Sequence, residues 1–269
     1  MHKVEARLIL CILFLVSGVL NAQTVERFEH LNTSDGLSQN SVLSILSDSK
    51  GYMWFGTMNG LNRYNGYDFE IYKVNQLQEN SLTHNRISRI WEDESQVIWI
   101  ETYDGYYHYF KPETEEFFTL PLYQKSFEEK NSVISCFEQA TENEIWLGST
   151  NSGAYYLRYD STISQYRVTQ FLSRGVHTIT NNTVAFILHS EQGETWIGTT
   201  QGLNHFQQIT VGDSISQASF NHYNVNYSFT VATELNGQLY FGTDNDGMIV
   251  YNSVDKQFVE PAPVLDELY

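Results

Sequence analysis

Residues 54–60 read Trp-Phe-Gly-Thr-Met-Asn-Gly, and the same phrase returns four more times. The later copies are Trp99-Ile-Glu-Thr-Tyr-Asp-Gly105, Trp146-Leu-Gly-Ser-Thr-Asn-Ser-Gly153, Trp196-Ile-Gly-Thr-Thr-Gln-Gly202 and Tyr240-Phe-Gly-Thr-Asp-Asn-Asp-Gly247. Their leading aromatics stand 45, 47, 50 and 44 residues apart. Recurrence at that period marks a repeat architecture, in which no unit buries its apolar surface alone.

One period holds four short strands. In the first copy, residues 42–46 are apolar and run into Asp48-Ser-Lys-Gly51, with Asp first and Gly fourth as in a type I turn. Residues 52–57 make a second strand and Met58-Asn59-Gly60 a turn. A third strand covers 61–64, and beyond Asn65-Gly66 the apolar Phe69, Ile71 and Tyr72 mark a fourth. Four strands joined by tight turns form an antiparallel meander. Because successive strand side chains alternate, Trp54 and Phe55 face opposite ways, so the sheet is apolar on both faces. Such a sheet must be sandwiched between copies of itself, and radial stacking of blades achieves this with only short edges left over. The predicted fold is all-β: a β-propeller of four-stranded antiparallel blades, with five blades at approximately 40–75, 85–120, 131–172, 182–224 and 226–260.

Gly60, Gly105, Gly153, Gly202 and Gly247 share one turn, where a positive φ is expected. A phosphate-cradling glycine loop would lead into a helix, and none follows. Asn40, Asn85, Asn131, Asn182 and Asn226 each precede a first strand and read as recurring turn residues. Every copy owns a fourth strand, the last near 257–259, so Phe28–Leu31 reads as a spare. Propellers commonly use such a strand to complete a final blade whose other strands lie at the C-terminus. An open ring truncated at its C-terminus is therefore expected, with missing blades or a second sensor protomer as its partner.

The first copy fits Asp-x-x-Gly-x-x-Trp-x-Gly-Thr-x-x-Gly-Leu-x-Arg-Tyr at Asp48, Gly51, Trp54, Gly56, Thr57, Gly60, Leu61, Arg63 and Tyr64. In this it resembles the two-component regulator propeller family. Phe28-Glu-His-Leu31 and Asp35-Gly-Leu-Ser38 resemble the start of the periplasmic sensor region of Bacteroidetes hybrid two-component systems. The resemblance covers about residues 24–260. It implies a ligand-sensing propeller that detects oligosaccharides, in proteins that continue through further blades, an immunoglobulin-like domain, a membrane helix and a histidine kinase. This sequence has no kinase motifs, so no enzyme activity is expected of it. The alternatives are a secreted carbohydrate-active enzyme on the same scaffold and a non-functional gene fragment.

Residues 1–22 read as a signal peptide: Lys3 and Arg7 precede an apolar run from Leu8 to Leu20, and cleavage is expected after Ala22. The run is short for a membrane span, and no later segment is apolar for 18 residues. The expected location is periplasmic, with membrane anchoring only in a longer gene product. The mature domain is 23–269, with 13 basic against 31 acidic residues, a charge of −18. That balance disfavours nucleic acid and anionic membrane surfaces, which need clustered Lys and Arg. Cys136 is then the only cysteine, so stability must come from packing.

No His spacing suits a metal and no nucleophile elbow is present, so no catalytic residue, metal ligand or cofactor is assigned. Cys136 aligns with Ile45, Ile90, Ile187 and Ala232 and reads as a core thiol, as Trp91 reads as core. The second copy departs most from the repeat. Glu101 replaces the Gly at Gly56, Gly148, Gly198 and Gly242, Tyr103 enters the following turn, and Arg86 stands against Ser41, Ser132, Thr183 and Ser228. A meander puts that turn and the loop entering the first strand on one face of the ring. His84, Arg86, Glu101 and Tyr103 are the predicted ligand-binding residues, since aromatic platforms with hydrogen-bonding groups suit an oligosaccharide.

Overall fold

The computed structural model describes residues 28–259 except 79, 112–113, 123–132, 212–213 and 224–225. The leader and Asn131 lie outside the described residues. Blade 1 is β1 (Val42–Ser47), β2 (Met53–Thr57), β3 (Gly60–Tyr64) and β4 (Phe69–Tyr72); blade 2 is β5 (Ile87–Glu92), β6 (Ile98–Thr102), β7 (Tyr107–Lys111) and β8 (Glu116–Thr119). Blade 3 is β9 (Ile134–Thr141), β10 (Glu144–Ser149), β11 (Ala154–Asp160) and β12 (Gln165–Phe171). Blade 4 is β13 (Val184–His189), β14 (Thr195–Thr199), β15 (Gly202–Val211) and β16 (Ser214–Tyr223), and blade 5 is β17 (Phe229–Leu235), β18 (Gln238–Thr243), β19 (Met248–Asn252) and β20 (Gln257–Val259). Each sheet is an antiparallel meander in chain order, and the chain is an all-β propeller arc of five blades.

The recurring Trp explains the stacking. Trp54, Trp99, Trp146 and Trp196 are fully buried at successive seams, each packed against the blade that follows. In blades 1 and 2 the turn Asp holds the indole: Trp54 Nε1 donates to Asp48 Oδ2 at 2.8 Å, and Trp99 Nε1 to Asp93 Oδ2 at 2.7 Å. The turn glycines behave as expected, Gly60 at φ 135° and Gly202 at φ 128°. Asn40, Asn85 and Asn182 tie down the preceding linker, their side-chain oxygens accepting from the backbone N–H of Thr33, Val74 and Ser173 at 2.7–2.9 Å.

Two expectations need correction. Phe28–Leu31 forms no strand, and Phe28 is exposed. Cys136 does not share the position of Ile45. Ile45 is opposite Phe55, whereas Cys136 is opposite Gly148 and Phe137 takes the equivalent place opposite Leu147. One extra residue precedes the strand in blade 3, and a one-residue shift turns a side chain to the other face. Cys136 therefore points at Val184 of blade 4, half-buried, and burial raises its thiol pKa to about 11.

The arc is open. Leu43 and Ile45 on the outer face of blade 1, and Val231, Leu235 and Met248 in blade 5, are exposed apolar side chains. Among the described residues, no blade covers them.

Candidate ligand-binding face

Every blade docks the turn after its second strand onto the residue that precedes its first strand. Backbone N–H groups of Met58, Tyr103, Thr150, Thr200 and Asp244 donate to the carbonyls of Ser41, Arg86, Val133, Thr183 and Ser228 at 2.8–3.2 Å. This shared bond makes Arg86 and Tyr103 neighbours, although 16 residues separate them in sequence. The Arg86 guanidinium carbon lies 4.1 Å from the Tyr103 ring centroid, a close cation–π stack. The His84 ring adds a third group, 5.8 Å from Tyr103 and tilted by 50°.

His84 also caps the loop. The Arg86 backbone N–H donates to His84 Nδ1 at 2.9 Å, which turns Nε2 to the outer end of the ring. Asn181 does the same for Thr183 N at 2.8 Å, and Gln39 for Ser41 N, so this part of the role belongs to the scaffold. The features peculiar to blade 2 are the ring and the guanidinium. Arg86 Nε is buried without a hydrogen-bond partner, while Tyr103 is 60 % exposed. The cluster offers an aromatic platform and a guanidinium fork on one accessible rim.

Glu101 does not join it. Its carboxylate Oε2 accepts from Arg89 Nε at 3.0 Å and Nη2 at 2.9 Å, directly across β5 and β6. Arg89 in turn reaches the Ile134 carbonyl of blade 3 at 3.4 Å. Ser44, at the register position of Arg89, accepts from Ile90 N at 3.0 Å, and Ser135, one residue before that position in blade 3, donates to the Val184 carbonyl at 2.7 Å. Glu101 is thus a seam residue. The repeat keeps Gly elsewhere because a Cβ there would meet Ile87 at 2.8 Å in the first seam or Val184 at 2.6 Å in the third.

Sequence reasoning missed the support under the face. His108 is fully buried, with Nε2 3.1 Å from Thr83 Oγ1 and Nδ1 3.1 Å from Thr119 Oγ1. Burial holds its pKa down to about 4 despite the nearby Asp104. Asp104 accepts from Thr102 Oγ1 at 2.6 Å and from Thr83 Oγ1 at 3.2 Å, fixing the turn that carries Tyr103. Alignment with Asn62 and Asn204, buried at the same place in blades 1 and 4, was the available signal. Among the described residues no three His, Cys, Asp or Glu side chains are grouped to hold a metal. None of the described helices is long and apolar enough to cross a membrane.

A family model described as "Two component regulator propeller" matches residues 36–59. A 56-residue stretch is 41% identical to Histidine kinase P4 of Formosa agariphila, covering 21% of this chain and 4% of that protein. The extracellular domain of the putative hybrid two component system BT3049 of B. thetaiotaomicron is similar at 22% identity and TM-score 0.39, over 87% of this chain and 36% of that one. PorZ, an essential bacterial surface component of the type-IX secretion system of Porphyromonas gingivalis, is similar at 14% identity and TM-score 0.49, over 82% of this chain and 34% of that one. The chain thus spans about a third of the length of these two structures. Residues 36–59, which match that repeat model, supply β1 and β2 of blade 1, and the phrase Trp54–Gly60 within and beside them recurs in the other four blades.

Proposed function

We propose that this chain is the exported, ligand-sensing part of a two-component signalling sensor, acting by binding rather than by catalysis. Its leader is residues 1–22, its location is the periplasm, and its open faces are covered by further blades of a longer product or by a second protomer. The ligand is an uncharged or weakly charged oligosaccharide held on the blade 2 rim. The observation that carries this reading is the exposed Tyr103 ring backed by the Arg86 guanidinium. A sugar ring presents an apolar face to such a platform and hydroxyls to the Arg86 and His84 side chains. Glu101 serves by holding Arg89 and the seam beneath. A chain charge of −17 repels polyanionic glycans at long range. Calorimetric titration with neutral oligosaccharides and with sulfated or uronate-rich ones tests this. Saturable binding confined to the neutral set is expected, and binding confined to the polyanions overturns the reading.

A further inference from the structure

On the opposite rim, the fourth blade breaks the repeat and leaves a cavity. In blade 1, Arg63 is the cross-strand neighbour of Trp54 and its guanidinium fills the seam to blade 2. It lies 5.1 Å from the Tyr52 ring centroid and 5.8–5.9 Å from those of Trp54, Tyr72 and Phe110. Glu70 and Glu115 pair with it, the latter at 2.8 Å. In the seam between blades 4 and 5 the same register places His205 opposite Trp196, with Tyr223 where Tyr72 stands and Tyr251 where Phe110 stands. The imidazole lies flat on the indole, 4.1 Å between centroids and 4° between planes. It is shorter than arginine, and desolvation holds its pKa down to about 4, so it brings no cation. Beside it opens a cleft of about 540 Å³, lined by Glu144 and Tyr156 of blade 3, Glu194, His205 and Tyr223 of blade 4 and Tyr251 of blade 5.

The acids of this seam are only partly satisfied: His205 Nε2 stands 3.9 Å from Glu194 Oε1, and one oxygen of each acid has no donor. Glu194 stands where blade 1 has Tyr52; its side chain is 11 % exposed and its Oε2 accepts no hydrogen bond. The indole N–H of Trp196, which Ser190 in place of Asp48 or Asp93 leaves without its usual acceptor, lies beside this carboxyl but outside hydrogen-bonding geometry. Behind it, Glu234 Oε2 accepts from Glu191 N at 2.8 Å while its Oε1 is buried and bare. The matching Glu92 uses both oxygens, accepting from Ser49 N at 2.8 Å and Ser49 Oγ at 2.7 Å. The local ammonium, Lys256, stands 4.0 Å from Glu194 Oε1 and is 75 % exposed. Buried carboxylate oxygens without donors are costly, and a donor-rich cation relieves that cost.

We propose that this cavity binds a small organic cation of the guanidinium or primary ammonium type, in the place where Arg63 serves the first seam. Its N–H groups donate to Glu194, within the field of Glu234, and its body packs against Tyr223 and Tyr251. The site is separate from the blade 2 rim and stands without any oligosaccharide there.

The test uses the whole chain at neutral pH and constant ionic strength, titrated with methylguanidinium and with methylurea, its uncharged analogue, by ligand-observed NMR. Saturable binding of methylguanidinium alone is expected. Glu194→Gln should weaken it by about tenfold or more. Lys256→Ala should strengthen it, because it removes a competing ammonium. His205→Arg should abolish it by refilling the cavity from within. Thermal melts establish that each variant is folded, and if Glu194→Gln is not, the opposite signs expected of Lys256→Ala and His205→Arg still decide. Equal binding of methylurea, no saturable binding, or binding indifferent to His205→Arg overturns the proposal.

Discussion

Ile45 and Ile90 hold the same register position, opposite Phe55 in blade 1 and Ile100 in blade 2, yet Ile45 is 60 % exposed and Ile90 5 %. The difference is the neighbour: blade 1 covers Ile90, and among the described residues nothing covers Ile45. Ile90→Ala should cost about 2–5 kcal/mol, the range for a buried aliphatic truncation. Ile45→Ala should cost under about 0.5 kcal/mol, as for a surface change. Denaturant unfolding of the two variants is the check. A large loss at Ile45 would mean that this face is buried in solution.

An uncovered apolar face also predicts association. Ile45→Lys together with Val231→Lys should shift the chain toward monomer in sedimentation velocity. If the parent chain is already a monodisperse monomer, the exposed faces do not drive assembly.

His108 gives a pH test with a defined sign. Its folded pKa, about 4, lies below the ordinary value of about 6.5. Above about pH 6.5 the ring is neutral in both states and adds no pH dependence. Between about 6.5 and 4 the unfolded chain takes up a proton that the folded chain refuses, so stability falls as pH falls, by up to about 3 kcal/mol. Below that window the contribution is flat. His108→Asn copies Asn62 and Asn204, and should fold while losing that part of the slope. An unchanged acid slope in the variant would show that His108 is not the group that titrates.

Asp48→Ala removes the acceptor of Trp54 Nε1 and of the backbone N–H groups of Lys50 and Tyr52. Trp54 is buried, so its stranded donor alone should cost about 1–3 kcal/mol. Chemical denaturation measures the loss; a variant as stable as the parent would contradict the clamp.

The blades were legible because strand alternation, turn residues and the aromatic-Gly phrase agree in all five copies. Register was harder to read. Counting from Asn131 misplaced Cys136, since one added residue in that loop moves the strand without changing its composition. The placing of Glu101 was not legible for a related reason: its neighbour on the turn, Tyr103, suggested one cluster, whereas hairpin register puts Arg89 opposite it. Arg86 and Tyr103, which both break the repeat, lie together on one rim. Burial of His108 and the cleft at Glu194 depend on which blade stacks against which side chain, and a single period does not contain that information.

The most direct test of the proposed binding face is calorimetric titration of Tyr103→Ala, run beside Tyr64→Ala, which alters a recurring scaffold position. The account predicts that Tyr103→Ala, still folded, loses affinity for a neutral oligosaccharide by about 1 kcal/mol or more, while Tyr64→Ala binds normally at lower stability. Unchanged affinity in folded Tyr103→Ala would contradict it.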